Sequence, residues 1–162
     1  MDTTGSPRYI LAPYMATPHE VVDRMLALAE VGPSDIVFDL GCGDGRVVIA
    51  AARDCGARGV GVDIEAWWID QANAAAQGAG VSDRAEFRVG DALQLDLSQA
   101  TVVFIYLVDW SVQMVAARLR TQLAPGARVV SLSFPISDWT PTRIERFVDA
   151  ESNPRVLYLW QR

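Results

Sequence analysis

The sequence predicts an α/β protein with a doubly wound, mostly parallel sheet. Short apolar segments of strand length alternate four or five times with segments of helical spacing along the 162 residues. One of these segments, residues 101–107, is almost wholly apolar, as expected for the centre of a parallel sheet that is covered on both faces. Right-handed crossovers between such strands produce an open sheet. We expect a single domain over residues 1–162, with residues 1–8 flexible.

A predicted helix precedes the first strand. Thr17 offers a capping hydroxyl, Pro18 suits the first helical position, and Glu20 can complete a capping box. Apolar residues then recur at helical spacing until a Gly-Pro pair at residues 32–33 ends the helix.

Strands and helices alternate from residue 36 onward, separated by turns rich in glycine, proline and aspartate. The predicted strands cover residues 36–40, 60–63, 87–89, 101–107, 127–134 and 156–160. The predicted helices cover residues 46–54, 66–77 and 111–123. We expect the C-terminal strand to run antiparallel to the others, and residues 143–148 are its candidate partner.

Composition and charge exclude several classes of protein. Hydrophobic residues make up 51% of the chain and the mean hydropathy is +0.15, which excludes a disordered protein. The net charge of −6 and the pI near 4.7 disfavour generic binding to nucleic acid or to an anionic membrane. No apolar run approaches the ~20 residues that span a bilayer, and no signal peptide is visible. Two cysteines suggest a reducing compartment, so we expect a cytoplasmic protein.

Three carboxylates follow neighbouring predicted strands. Asp39 precedes a glycine-rich turn at residues 41–45, where residues without a Cβ let the backbone approach a ligand at the start of a helix. Asp63 ends the second strand and can accept both hydroxyls of a ribose, while Asp91 follows the third strand and can reach an adenine amine. Together they predict a nucleoside site with little place for phosphate. The alternative is that the glycines only form a tight turn between strand and helix.

The glycine spacing argues against a dinucleotide. A dinucleotide fingerprint carries glycine at its first, third and sixth positions, and the sixth position here is Arg46. S-adenosylmethionine has no phosphate and carries a sulfonium cation, which suits acidic strand ends. The sequence therefore favours S-adenosylmethionine as the cofactor.

This pattern resembles the Rossmann-like class I S-adenosylmethionine-dependent methyltransferases. From residue 13 to residue 160 the chain resembles a group of small protein-lysine methyltransferases. That group includes the broad-specificity archaeal enzyme and the mitochondrial enzymes that modify the ATP synthase c-subunit and the adenine nucleotide translocase. The matching segments are residues 13–18, 39–46, 98–103, 125–131 and 138–139. The glycine motif is shared by very many enzymes, whereas the first and third segments are far more specific.

The resemblance implies roles for residues around the cofactor. Tyr14 and Thr17 would face the methionine end of S-adenosylmethionine, although Thr17 could also be only a helix cap. Asp39 would lie near the amino group, Asp63 on the ribose and Asp91 on the adenine. The other residues expected at the cofactor are Gly41, Cys42 and Gly43 in the turn, with Ile64 and Ala92 packed on the adenine. The sequence shows no cluster of metal ligands.

Two segments beside the expected acceptor site depart from the group. Residues 106–110 lack the usual amide- or proline-containing turn, and residues 131–134 read Ser-Leu-Ser-Phe where the group tends to show Ser-His-acidic-Phe. Our candidate catalytic residues are Asp109, which would orient an unprotonated amine, and Tyr106, which would form a wall of the acceptor slot. Asp109 could instead cap the helix that follows, and Trp110 could be a slot wall or ordinary packing.

We therefore expect an enzyme that transfers methyl groups from S-adenosylmethionine to lysine side chains of proteins. The altered acceptor-side turns leave open a small-molecule N- or O-methyltransferase, and a third alternative is a non-catalytic S-adenosylmethionine-binding module. The acidic charge disfavours a nucleic-acid substrate, and we expect no membrane insertion. All 14 basic residues are arginine, so the chain has no lysine side chain on which to methylate itself.

Other aromatic and nucleophilic residues are expected to play structural roles. Trp67 and Trp68 are adjacent in a predicted helix, where successive side chains diverge by about 100°, so we expect them to face different sides. His19, the only histidine, is expected on the surface. Cys42 has no histidine placed to activate it and is expected to fill space.

Overall fold

The computed structural model describes residues 16–162 of the chain. These residues form a seven-stranded sheet, four helices and a short 3-10 helix, Ala92–Gln94. The strands are β1 (Ile36–Leu40), β2 (Arg58–Asp63), β3 (Ala85–Val89), β4 (Val102–Ile105), β5 (Arg128–Leu132), β6 (Arg143–Val148) and β7 (Pro154–Gln161). The helices are α1 (His19–Leu28), α2 (Arg46–Cys55), α3 (Ala66–Gly78) and α4 (Asp109–Gln122). The expected flexibility of residues 1–8 and the expected position of Tyr14 concern residues outside the described range.

The strand order of the sheet is β3-β2-β1-β4-β5-β7-β6. Strands β1 to β5 run parallel, β7 runs antiparallel to β5, and β6 runs antiparallel to β7. The predicted doubly wound, mostly parallel α/β sheet is confirmed, as is the antiparallel C-terminal strand. The direction of winding reverses between β1 and β4, and open α/β sheets bind ligands at such a switch point, beyond the carboxyl ends of the strands.

Alternate residues of the central strands pack against helices on opposite faces of the sheet. On β1, Val37 packs with α1 and α2, whereas Phe38 and Leu40 pack with α4. On β4, Phe104 packs on the face that α1 and α2 cover, and Ile105 packs on the face that α4 covers. Burial on both faces explains why the sequence of β4 is apolar throughout. Among residues 16–162, no helix is long and apolar enough to cross a membrane.

The predicted cap of the first helix is wrong. Pro18 takes the N-cap position of α1, and no side chain caps the helix. Thr17 therefore lies one residue outside the helix, too far back for its hydroxyl to reach the first free amides. Glu20 does not close a capping box either, because Pro18 at the N-cap has no backbone N–H to donate. Its carboxylate instead accepts the backbone amide of Ala150. His19 is exposed, as predicted.

The two adjacent tryptophans of α3 are also arranged differently from the prediction. Trp67 and Trp68 do not face different sides, since their rings stack with centroids 4.0 Å apart and an interplanar angle of 29°. The backbone separates their Cα–Cβ bonds by about 100°, but rotation about the side-chain torsions brings the two large rings together. Trp67 remains 51% exposed, so the pair forms part of the surface.

The glycine-rich turn between β1 and α2 is packed directly against its neighbours. Gly45 has φ +82°, and a Cβ at this position would lie 2.6 Å from the ring of Phe87 and 2.9 Å from the Cβ of Ala72. Both the backbone conformation and the lack of space therefore require glycine. This packing holds the turn against β3 and α3.

Gly45→Ala is expected to reduce the free energy of unfolding by about 2–5 kcal/mol, because the left-handed backbone and the overpacking each contribute. Gly80→Ala is the matched control. Gly80 has φ +72°, but no atom lies within 4 Å of its added Cβ. The control should lose only the backbone contribution of about 1–2 kcal/mol. Urea unfolding of both variants measures the difference, and equal losses would contradict the packing argument.

Candidate active site

The register of the parallel strands brings the three predicted carboxylates to neighbouring positions. Asp39 of β1 is level with Gly61 of β2, and Asp63 is the last residue of β2. Asp91 lies two residues beyond the end of β3, which pairs with β2. All three therefore lie at or just beyond the carboxyl ends of adjacent strands, beside the glycine-rich turn.

Two backbone amides hold the Asp63 carboxylate. The amide of Gly43 in the glycine-rich turn donates to Oδ2 at 3.0 Å, and the amide of Glu65 donates to Oδ1 at 3.0 Å. These bonds fix the side chain at the strand end and attach it to the turn. Each carboxylate oxygen has a further lone pair, so Asp63 can still accept the two hydroxyls of a ribose.

The Asp39 carboxylate is buried, and its pKa is raised from 3.8 to about 8. Burial is the largest cause, and the negative charges of Asp63 and Asp44 add to it. Among residues 16–162 we find no hydrogen-bond donor paired with this carboxylate. A buried acid in this state is suited to a cation, because a positive group beside it would restore the ionised form.

The structure places the other predicted adenine-side residues at the ends of β2 and β3. Asp91 caps the 3-10 helix, because its Oδ1 accepts the amide of Leu93 at 2.9 Å. Ala92 follows as a buried residue, and Ile64 is half-buried directly after Asp63. Asp91, Ala92 and Ile64 therefore border the same edge of the sheet as Asp63.

Cys42 in the glycine-rich turn fills space. Its side chain is buried, and a Cβ on Gly61 would lie 2.9 Å from its Sγ. Burial, followed by the negative charges of Asp39 and Asp63, raises the pKa of the thiol, so the reactive thiolate is disfavoured. Within residues 16–162, no group of three or more His, Cys, Asp and Glu side chains could hold a metal ion.

Arg46 attaches the chain that enters α1 to the glycine-rich turn, a role that our sequence analysis missed. Its Nη1 donates to the carbonyl of Thr17 at 2.9 Å, and its Nη2 pairs with Asp44 Oδ2 at 2.6 Å. Thr17 is buried beside this pair. The ion pair of Arg46 with Asp44 is local and could have been predicted, whereas no local pattern marks the contact with Thr17, 29 residues away.

The candidate catalytic residues flank the carboxyl end of β4. Tyr106 is half-buried and packs with the apolar cluster of α1 and α2, and its hydroxyl lies beside the guanidinium of Arg155. Asp109 is exposed and is the first residue of α4. Val108 holds the N-cap position, so the alternative that Asp109 caps the helix is wrong. Trp110 is 50% exposed, which argues against ordinary packing.

The fold and the site define a class of protein. A seven-stranded, mostly parallel sheet with a glycine-rich turn and acidic strand ends is that of the Rossmann-like class I methyltransferases. The family model described as the ANTKMT methyltransferase domain matches residues 39–143. The chain belongs to this family and is a methyltransferase.

Known relatives cover most of the chain. A protein-lysine N-methyltransferase of Saccharolobus islandicus is 42% identical, and the match covers 91% of this chain and 92% of that protein. An adenine nucleotide translocase lysine N-methyltransferase of Mus musculus is 32% identical over 85% of this chain, but the match spans only 60% of that relative. The solved structure of an RNA methyltransferase from Salinibacter ruber, in complex with S-adenosyl-L-homocysteine, has a TM-score of 0.84 and 46% identity. This match covers 91% of this chain and 93% of the Salinibacter ruber chain.

The raised pKa of Asp39 predicts a pH-dependent stability. Between pH 3.8 and about 8, the folded chain keeps a proton on Asp39 that the unfolded chain has lost. The free energy of unfolding therefore falls as the pH rises through this window, by up to about 1.4 kcal/mol per pH unit. Asp39→Asn is neutral at every pH, so its stability relative to the wild type should increase over the same window.

Urea unfolding of the wild type and of Asp39→Asn, from about pH 5 to about pH 9, measures this difference. The gap between the two curves should stop growing above about pH 8, where Asp39 is ionised in both states of the wild type. Parallel curves across the whole range would contradict a buried, protonated Asp39.

Proposed function

We propose that this chain transfers methyl groups from S-adenosylmethionine to lysine side chains of proteins. The observation that carries the proposal is the set of three carboxylates at the carboxyl ends of β1, β2 and β3 beside the glycine-rich turn. The 42% identity with a protein-lysine N-methyltransferase over nearly the full length of both chains supports the lysine acceptor.

The residues at the strand ends fit each part of the proposed cofactor. The buried Asp39 suits the amino group of the methionine moiety, because that ammonium supplies the positive charge that the carboxylate lacks. Asp63, already oriented by two amides, suits the ribose hydroxyls. Asp91 suits the adenine amine, with Ile64 and Ala92 against the ring. The turn residues Gly41, Cys42 and Gly43 would contact the cofactor, and Thr17 would approach it from the start of α1.

In catalysis, the main role of this chain would be to orient and desolvate the methyl acceptor. When bound, S-adenosylmethionine supplies an electrophilic methyl group on its sulfonium. A lysine amine must approach in line and without its proton, which favours an apolar, aromatic-walled approach with a carboxylate nearby. Tyr106 would form one wall of this approach, and Asp109 would orient the amine from the first turn of α4.

One observation favours a second candidate function, the methylation of RNA. The Salinibacter ruber relative, 46% identical, is an RNA methyltransferase. The charge of this chain opposes that candidate, because binding to phosphates requires a positive surface. The net charge is −6, and seven of the 14 arginines already form ion pairs with carboxylates in the described part of the chain.

Transfer of labelled methyl from S-adenosylmethionine into a fractionated cell extract tests the proposal. We expect label in the protein fraction that resists nuclease and disappears when lysine amines in the extract are chemically blocked beforehand. Nuclease-sensitive label would instead favour the RNA candidate, and label confined to small molecules would favour a small-molecule acceptor. Binding of the cofactor with no transfer would contradict an enzymatic role.

Asp63→Ala provides the blank for this assay. The variant removes the carboxylate proposed to bind the ribose and should weaken cofactor binding at least about tenfold, as expected for lost charged hydrogen bonds. Asp96→Ala is the matched control, because Asp96 also accepts the amide two residues ahead, that of Ser98 at 2.9 Å, but lies outside the site. Calorimetric titration with S-adenosylmethionine measures both. Equal affinities for the two variants would exclude Asp63 from the cofactor site.

The absence of lysine from the sequence predicts that the enzyme does not methylate its own side chains. Intact-mass measurement after incubation with S-adenosylmethionine should show no methyl increments on the chain, apart from its terminal amine. A lysine-containing protein in the same reaction serves as the positive control. Several increments on the enzyme itself would show that another side chain accepts the methyl group and would contradict lysine specificity.

We also propose a cytoplasmic location. The two free cysteines, Cys42 and Cys55, support this proposal, since disulfides are rare in the reducing cytoplasm and common in oxidising compartments. Fractionation of cells that express the tagged full-length protein tests this.

A further inference from the structure

Gln113 connects two segments that border the expected acceptor site. We propose that it is a positioning residue, which holds residues 133–139 (the acceptor loop) against the first turn of α4 and so sets the opening through which the methyl acceptor approaches. The inference rests on the proposed function and assigns part of that site to a residue outside the cofactor-binding set.

Both the nitrogen and the oxygen of the Gln113 side-chain amide form hydrogen bonds with the acceptor loop. Its Nε2 donates to the carbonyl of Pro135 at 3.0 Å, and its Oε1 accepts the amide of Ser137 at 3.1 Å. The same Nε2 also donates to Asp109 Oδ1 at 3.3 Å. One side chain therefore joins the loop to the proposed orienting carboxylate.

The loop is also fixed on its other side, by the sheet. The buried hydroxyl of Ser131 donates to the carbonyl of Phe134 at 2.6 Å, and the amide of Ser133 donates to the carbonyl of Val156 at 2.9 Å. Ser133 takes a left-handed backbone with φ +77°, which turns the chain sharply away from β5. Ile136 is buried in the core. Gln113 therefore tethers a loop that the sheet already shapes.

Exposed aromatic residues lie on the two segments that Gln113 joins. Trp110 follows Asp109 in the first turn of α4 and is 50% exposed, while Phe134 of the acceptor loop is 37% exposed. An apolar ring suits the aliphatic stem of a lysine, and a carboxylate suits its charged end. The tether sets the distance between the segments that carry these groups.

Gln113 acts through other residues and takes no part in proton transfer. A carboxamide does not titrate in the physiological range, and its three hydrogen bonds are all made within the chain. Its effect should therefore fall on acceptor binding, while cofactor binding at the ends of β1, β2 and β3 should not change.

Gln113→Met keeps the length of the side chain and removes its polar ends. We expect the KM for a lysine-containing protein acceptor to rise at least about fivefold, as expected for a lost hydrogen bond, with no change in the Kd of S-adenosylmethionine. Gln122→Met is the matched control on the same helix. Gln122 Oε1 accepts the amide of Leu97 at 2.7 Å, away from the acceptor loop, so its loss should not raise the acceptor KM.

Hydrogen exchange gives a readout that does not depend on activity. The Ser137 amide should exchange faster in Gln113→Met than in the wild type, because its acceptor is removed. Gln113→Glu keeps an acceptor for this amide but cannot donate to Pro135 or Asp109. It should keep Ser137 protected and still raise the acceptor KM.

Two results would overturn the proposal: an acceptor KM that Gln113→Met leaves unchanged, or equal effects of Gln113→Met and Gln122→Met. Failure of the proposed function would look different. If the wild type methylated RNA or a small molecule, lysine specificity would be lost, but the KM comparison with that acceptor and the Ser137 exchange would still decide the role of Gln113.

Discussion

The hydrogen bond from the Gly43 amide to Asp63 connects the glycine-rich turn with the strand end of β2, the two segments that form the proposed cofactor site. It attaches the turn after β1 to the end of β2 across the parallel register. The turn can lie this close to β2 because Gly61 has no side chain, since a Cβ there would be 2.8 Å from the Cβ of Cys42. Gly41 and Gly45 let the turn take left-handed backbone, with φ +81° and +82°. The positions of α2, and of Arg46 with the chain entering α1, follow from where this turn is held.

The position of Asp39 is unfavourable for a carboxylate. Burial, followed by the negative charges of Asp63 and Asp44, raises its pKa to about 8. An asparagine of nearly the same shape would avoid the charge repulsion, so folding alone gives no reason for an aspartate at this position. A cationic ligand does give a reason, because an ammonium beside Asp39 converts the unfavourable burial into a charged hydrogen bond.

Backbone-determined features could be predicted from the sequence, whereas side-chain contacts between distant segments could not. The strands, the parallel sheet and the three acidic strand ends follow from periodicity and from the turn at residues 41–45. The cap at Thr17 failed because Pro18 itself occupies the N-cap position. The stacking of Trp67 on Trp68 depends on side-chain torsions, which periodicity does not describe. Gln113 meets Pro135 and Ser137 from 22 and 24 residues away, and no local pattern marks such a pair.

The same distinction explains why similarity to relatives predicts the cofactor better than it predicts the methyl acceptor. The proposed cofactor side consists of strand ends and the glycine-rich turn, whose places are set by the parallel register. The proposed acceptor side consists of the first turn of α4 and the acceptor loop, joined by the side chain of Gln113. Substitutions there can reshape the opening without disturbing the sheet. Relatives more than 40% identical to this chain are accordingly a protein-lysine methyltransferase in one case and an RNA methyltransferase in another. If the proposed function is right, substitutions at Asp109, Gln113 and Phe134 should change which acceptor this chain methylates.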